Sequence, residues 1–423
     1  MKSSFLLASS LSTLVSSLSS DIAADAPFHY IPIDYNYGYN ERVTANLTYG
    51  TATDAQPVRT VLDTGSANFW VWGPGAVINY GSQYLGFTGP CNMSVPLEYD
   101  LLNSTTAVVT NHSSYYSYGG NGKILSGTQY SNDTITASGG NGAISNTQFA
   151  LATHGQLRQY DNGSCLGTTY DLAILGLAPY TTDLYTAGPL FRQTLYETGA
   201  VAARTMVMWF NQAVRVGEKF TGGALFGAID TSKFTGPLVR VPNAGGPVGL
   251  YVHKPLIKIN GKTFNTSYAT DCLVDSGTHA DSLPFSYTDN QEAAFYNATK
   301  GMLMAYNGVA AYNGPCSAIP ANYSIGYEFA GVNANESITI NVPIRNYARS
   351  SSSYANASDA ATVCPLNMDL TSDCVFGATF FTALFLAHDE SDGSIAFAQG
   401  GVASEGSELN TASFRAFGAG ESF

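Results

Sequence analysis

Basic residues are scarce: Lys and Arg total 18 against 31 Asp and Glu, a formal net charge of -13 at pH 7 over 423 residues. Such a surface repels phosphate backbones and anionic lipid heads, which argues against nucleic acid or a membrane surface as partner. The six cysteines contain no C-x-x-C spacing, the six histidines are scattered without an H-E-x-x-H, and no G-x-S-x-G occurs. Zinc-assisted hydrolysis and serine-nucleophile chemistry therefore lack their usual signatures, and neither a metal nor another cofactor is expected. Past the N-terminus no apolar run approaches the ~20 residues of a membrane span. The residues after Gly401 are polar, so no hydrophobic anchor is expected there.

What is abundant points to strands. The chain holds 43 Gly and 27 Tyr with 45% apolar residues, a mixture suited to short strands and tight turns, and its length suits one large or two medium domains. Residues 1–20 read as a secretory signal peptide: Lys2, an apolar and small-residue stretch from Phe5 to about Leu18, then Ser19 and Ser20 before Asp21. N-x-Ser/Thr sequons scattered from Asn46 to Asn356 agree with a glycosylating secretory route and predict N-linked glycans. An even cysteine count in a secreted chain favours disulfides, although spacing alone leaves their connectivity open. The low basic content also limits charge repulsion once carboxylates are protonated, so the composition tolerates acid.

The chain repeats itself. Val61-Leu62-Asp63-Thr64-Gly65-Ser66 is answered by Leu273-Val274-Asp275-Ser276-Gly277-Thr278. Roughly a hundred residues beyond each copy stand two apolar residues and a glycine, Ile174-Leu175-Gly176 and Val375-Phe376-Gly377. A lone D-[ST]-G is usually an ordinary turn. Two copies with matched surroundings are not explained that way. Elsewhere, Tyr118-Gly119-Gly120-Asn121-Gly122 predicts a glycine-tipped hairpin. Short helices are predicted at Leu190 to Thr198 and Asp289 to Lys300, an exposed loop at Asn346 to Asp359, and a loose polar tail over 403–423.

Two carboxylates brought together cannot both ionise easily, so they share a proton. The ionised member can take a proton from water while the protonated member polarises a carbonyl, giving base and acid from one residue type. Asp63 and Asp275 are the candidates. Gly65 and Gly277 would let main-chain N–H groups approach the carboxylates. Thr64 and Ser276 offer hydroxyls that could bond across a pseudo-twofold axis, and Ser66 and Thr278 could each bond the outer oxygen of their own Asp.

These motifs resemble the pepsin family of aspartic endopeptidases, for which the shared-proton chemistry is established. The resemblance runs from about Phe28 to Gln399 and includes Ala67-Asn68-Phe69-Trp70-Val71, Gly222-Gly223-Ala224-Leu225-Phe226-Gly227-Ala228-Ile229-Asp230, and Thr235-Gly236-Pro237-Leu238. It implies a mostly β, bilobal fold with a cleft between lobes, here 28–230 and 231–402, each giving one Asp to the cleft. It implies a secreted, extracellular endopeptidase acting at acid pH on an extended peptide or protein substrate, expected to be a monomer. The hairpin at Tyr118, Gly119 and Gly120 would be the flap, with Tyr118 bonded to Trp70; Tyr115 and Tyr116 lie close by in sequence. Family members that accept Lys before the cut often carry an acid near the flap tip. Gly120 and Asn121 stand there instead, so large apolar residues are expected around the cut. The resemblance also implies pairing Cys316 with Cys364 and Cys272 with Cys374, which leaves Cys91 with Cys165.

Three departures are visible. Only Asp21 to Pro27 separates the signal-like segment from Phe28-His29-Tyr30-Ile31-Pro32-Ile33, too little for the family's basic prosegment: the protein needs none, its coding sequence omits an exon, or activity is not its role. His279 occupies a position where a small residue is usual, as a cation near the cleft at acid pH or a solvent-exposed loop residue. Ala173 replaces a common Gly, a tolerable methyl group. Two rivals stay open: a catalytically silent pepsin-like glycoprotein that binds a protein or glycan in its cleft, and a structural cell-wall glycoprotein.

Overall fold

The computed structural model describes residues 26–38, 41–80, 91–96, 99–119, 122–157, 172–179, 190–213, 219–245, 249–266, 271–285, 290–349, 362–371, 373–402, 409–410 and 412–423. Its first half supplies β1 (His29–Tyr35), β2 (Thr44–Tyr49), β3 (Gln56–Asp63), β4 (Phe69–Asn79), β5 (Val108–Tyr118), β6 (Lys123–Ala137), β7 (Ala143–Leu157), β8 (Ala173–Gly176), helix α1 (Phe191–Glu197), β9 (Thr205–Phe210), β10 (Phe220–Phe226) and β11 (Ala228–Asp230). The second half contributes β12 (Thr235–Val241), β13 (Asp271–Val274), β14 (Asp281–Pro284), α2 (Gln291–Ala298), β15 (Met368–Thr371), β16 (Val375–Phe376), α3 (Ala378–Phe381), β17 (Leu384–Asp389), β18 (Ser394–Gln399) and β19 (Phe414–Ala416). The protein is mostly β and has the bilobal pepsin-like fold.

A 14-stranded sheet runs β12-β18-β17-β9-β10-β1-β2-β3-β8-β4-β7-β6-β5, with Asn92–Ser94 paired to β4. It crosses the expected division at residues 230 and 231, because β12, β17 and β18 from the second half join β9, β10 and β1 from the first. Every residue of β9 (Thr-Met-Val-Met-Trp-Phe) and β17 (Leu-Phe-Leu-Ala-His-Asp) is buried. A strand covered on both faces reads as a continuous apolar run rather than an alternation. On one face Met206, Met208, Leu384 and Leu386 join the main core, and on the other Val207, Trp209, Phe385 and Ala387 pack with Tyr30. Trp209 stacks between Tyr30 and Phe385, with ring centres 6.1 and 6.4 Å away.

The helices α1 and α2 fall inside the two predicted spans. No side chain caps α1 at Leu190; burial of Phe191 and Leu195, one turn apart, holds it. Its Arg192 is buried too, donating from Nη1 to the Leu177 carbonyl (3.1 Å) and from Nη2 to that of Arg204 (3.0 Å).

Two expectations need correction. The tail is not loose at its end: β19 pairs with β11, Phe417 N donates to Gly227 O at 2.8 Å, and Phe417 is fully buried. The polar residues before it screened a strand whose Phe414 packs on Phe28 at 4.6 Å. Likewise Asn346, placed in the expected exposed loop, is buried with Tyr347 in a 3-10 turn at Ile344–Tyr347, its amide donating to Thr382 Oγ1. The rest of that predicted loop, residues 350–359, lies outside the described residues, and only Ala348 and Arg349 precede it.

Disulfides join Cys272 to Cys374, tying the start of β13 to the approach to β16, and Cys316 to Cys364. Cys91 is disulfide-bonded. Its expected partner Cys165 lies outside the described residues.

Candidate active site

Both motif copies sit where a strand ends beside a parallel neighbour. Asp63 closes β3 opposite Gly176 of β8, and Asp275 follows β13, whose Val274 faces Phe376 of β16. The apolar-apolar-Gly segments of the repeat are thus the parallel partners of the aspartate strands. Leu177 N donates to Asp63 O at 2.7 Å, and Asp275 N donates to Phe376 O at 2.9 Å, so each loop is fixed from behind. Arg192 reaches the carbonyl of that same Leu177 from α1.

The loops are then fastened to each other. Thr64 N donates to Ser276 Oγ (3.1 Å) and Ser276 N to Thr64 Oγ1 (3.0 Å). The two hydroxyls in turn donate to main-chain carbonyls of the opposite half, Thr64 Oγ1 to Val274 O (2.8 Å) and Ser276 Oγ to Leu62 O (2.6 Å). Thr64 and Ser276 are completely buried, where an unmade hydrogen bond is costly, so the four bonds fix one relative position of the loops.

Around each carboxylate the contacts are matched. Asp63 accepts from Gly65 N (2.9 Å) and Ser66 Oγ (2.5 Å); Asp275 accepts from Gly277 N (2.8 Å) and Thr278 Oγ1 (2.6 Å). Each loop's glycine is packed against the opposite carboxyl, so the two carboxyl groups face each other across the junction of the loops. Glycine is required by this approach: a β-carbon on Gly65 would lie 2.5 Å from Asp275 Oδ1, and one on Gly277 2.6 Å from Asp63 Cγ. Asp63 is 5% exposed. Burial pushes its carboxyl well above the usual carboxylate range, the neighbouring Asp275 pushes the same way, and the Ser66 and Gly65 bonds pull it back.

β5 and β6 form the predicted hairpin, with Tyr118 opposite Lys123 and Gly119 at φ 53° starting the tip. Trp70 Nε1 donates to Tyr118 Oη at 2.8 Å. Gly120 lies outside the described residues. Tyr116 is a core residue and Tyr115 is 56% exposed, so Tyr118 alone of the three bonds Trp70.

His279 is not a solvent-exposed loop residue, and it gains positive charge only as the pH falls to about 4. It is partly buried, and that burial, with Arg42 and Arg349 nearby, lowers its pKa to about 4. Ala173 is fully buried on β8, opposite Thr60.

Sequence reasoning missed Asp281. This carboxyl is completely buried; Gly377 N donates to Oδ1 (2.9 Å), and Tyr347 Oη donates to Oδ2 (2.7 Å) with Tyr327 Oη 2.9 Å further on. Burial raises its pKa to about 7. A signal was present: in the repeat Asp281 stands where Phe69 stands in the first half.

A family model described as eukaryotic aspartyl protease matches residues 44–400. The chain is 25% identical over 368 residues to the probable aspartic-type endopeptidase opsB of Aspergillus fumigatus, covering 84% of this chain and 67% of that protein. It is 24% identical over 365 residues to candidapepsin-3 of Candida albicans (85% and 80% covered). With yapsin-3 of Saccharomyces cerevisiae it shares 25% over 380 residues (85% and 66% covered).

Proposed function

Because the chain belongs to the eukaryotic aspartyl protease family, we propose that it is a secreted aspartic endopeptidase, hydrolysing peptide bonds at acid pH with Asp63 and Asp275 as its catalytic pair. The observation that carries this reading is the convergence of the two carboxyl groups, each held by its own glycine N–H and hydroxyl and each packed against the other loop's glycine. One proton shared by the pair leaves one carboxylate to accept a proton from water as its oxygen attacks the scissile carbonyl carbon. The other carboxyl delivers its proton to the carbonyl oxygen. In the reverse sense the tetrahedral adduct collapses, the C–N bond breaks, and the departing nitrogen is protonated. The titration belongs to the pair, so no fixed order is assigned to its members.

The raised Asp63 pKa supports an acid working range, since the singly protonated pair persists further toward neutrality than an isolated Asp would. Tyr118, Gly119 and Gly120 serve as the flap, with Trp70 holding Tyr118. Large apolar residues are preferred beside the cut. Secretion is supported by the signal-like N-terminus, by relatives named secreted aspartic protease, and by sequon asparagines such as Asn46, Asn92, Asn103, Asn111 and Asn322 being exposed.

The test is digestion of acid-denatured haemoglobin or casein at about pH 3 to 5, with and without a statine inhibitor. Inhibitor-sensitive cleavage is expected. Asp63→Asn and Asp275→Asn should each cut turnover by about 10²- to 10⁴-fold or more while the unfolding temperature at pH 5 stays close to the native value. Substantial turnover in either variant would show that another acid does the chemistry. A folded sample that cuts nothing would favour a cleft-binding glycoprotein.

A further inference from the structure

We propose that Asp281 is a positioning residue for Asp275, and that the reaction keeps its geometry only while Asp281 holds a proton; this rests on the peptidase reading and adds the condition under which it runs. Three consecutive residues hold the second loop from behind. Phe376 O accepts from Asp275 N (2.9 Å), Gly377 N donates to Asp281 Oδ1 (2.9 Å), and Ala378 N donates to Thr278 O (2.8 Å). The outer two bonds join main chain to main chain, whereas the middle one ends on a side chain. There is little slack between the two segments: a β-carbon on Gly377 would lie 2.6 Å from Ala280 O and 2.8 Å from Thr278 O. A shift of Gly377 is therefore passed to Asp275 and to Thr278, whose hydroxyl donates to the Asp275 carboxyl at 2.6 Å. In the first half the matching Gly176 N donates to the main-chain carbonyl of Asn68 (2.9 Å), an acceptor that no pH alters.

Asp281 is completely buried. Tyr347 Oη donates to Oδ2 at 2.7 Å. When Oδ2 carries the acid's proton that bond runs the other way, and Tyr347 donates on to Tyr327 Oη, 2.9 Å beyond. The neutral acid thus fits its surroundings without moving. The titratable groups around it are the phenols of Tyr347, of Tyr327 on the strand Ser324–Ala330 and of Tyr35 on β1, and the carboxyl of Asp369 on β15, beside which stands Arg349. Burial and the Asp369 charge oppose ionisation and raise the pKa to about 7. A charge formed there must draw in water or turn away, and either movement loosens Gly377. The tie is present below that pH and is lost as pH rises through it, so the protein disarms itself near neutrality.

The experiment uses the full chain and a fluorogenic peptide with large apolar residues flanking the cut. It measures kcat and KM separately from about pH 4 to pH 8, with circular dichroism reporting the fold at each pH. At acid pH Asp281→Leu, which offers Gly377 no acceptor, should lose about 10- to 100-fold in kcat with KM little changed. Asp281→Asn, which keeps an acceptor and never ionises, should recover most of that loss. Above about pH 7 the native kcat should fall with two ionisations, about a hundredfold per pH unit, and that of Asp281→Asn with one, about tenfold. Should Asp281→Leu fail to fold, the steepness of the alkaline limb in Asp281→Asn still decides. Native kcat in Asp281→Leu, an equally steep limb in Asp281→Asn, or a native limb that steepens only where the circular dichroism also changes overturns the inference alone. A folded native chain that cuts no peptide overturns the peptidase reading and this inference with it.

Discussion

Asp281 and Phe69 stand six residues after Asp275 and Asp63. Phe69 fills an aromatic core with Tyr49, Phe149 and Phe191, whereas Asp281 buries a carboxyl that takes the Gly377 N–H. In the first half, the matching glycine, Gly176, gives its N–H to the main-chain carbonyl of Asn68 instead. With its pKa raised by burial from 3.8 to about 7, Asp281 binds a proton in the folded chain over a range where the unfolded chain has lost it. Its contribution to stability is therefore full below about pH 3.8 and is lost as pH rises through about 7. Asp281→Asn should remove that part of the slope: the drop in unfolding temperature between pH 4 and pH 7.5 becomes smaller in the variant, as calorimetry would read. Asp63 leaves a residual slope of the same sign. An unchanged slope would mean that Asp281 already ionises near its ordinary value. The paired aspartates were legible in the sequence because each motif is a local turn whose bonds to its own Asp come from within three residues. The repeat marks the position of Asp281 but not its burial, because its environment is made by Tyr347, 66 residues away.

Strands β13 and β16 carry Asp275 and Gly377, and the parallel pair between them is only two residues long. So short a ladder needs reinforcement, and the Cys272–Cys374 bond supplies it across a sequence separation of 102. In the chain-entropy account a loop of that size is worth roughly 4.7 kcal/mol. Cys272→Ala with Cys374→Ala should lower the denaturant midpoint accordingly and speed the thermal loss of activity. An unshifted midpoint would assign the reinforcement to packing alone. Strands of this kind were readable as a class, since β-branched and apolar runs bounded by glycine mark them, and the two short helices were placed within two residues. The burial of Arg192 on α1 was not readable. It depends on His388, 196 residues distant, whose Nδ1 lies 2.9 Å from the guanidinium.

At the scale of the molecule, the largest sheet is shared by both halves, and its outer apolar face is closed by the segment that composition marked as a tail. Phe417 is buried there with Trp209, Phe385 and Ile229, and Asp230 accepts from Ser413 Oγ and Asn410 N, both at 2.7 Å. Phe417→Ala should cost about 3 kcal/mol in urea unfolding, whereas a dangling segment would cost nothing. The duplication made the two-lobed plan visible in the sequence. The sharing of one sheet was not, because β17 and β18 are ordinary apolar strands whose partners are set by tertiary docking.

The crossed bonds of Thr64 and Ser276 have a consequence for synthesis. A growing chain that has emerged only as far as its first acidic loop holds one of the two facing aspartates, with a hydroxyl, buried in the finished fold, whose acceptor, Val274 O, does not yet exist. Strand β17, which lies beside β9 in the shared sheet, and its neighbour β18 come later still. On the proposed reading, any cutting power is thereby deferred until nearly everything has been translated.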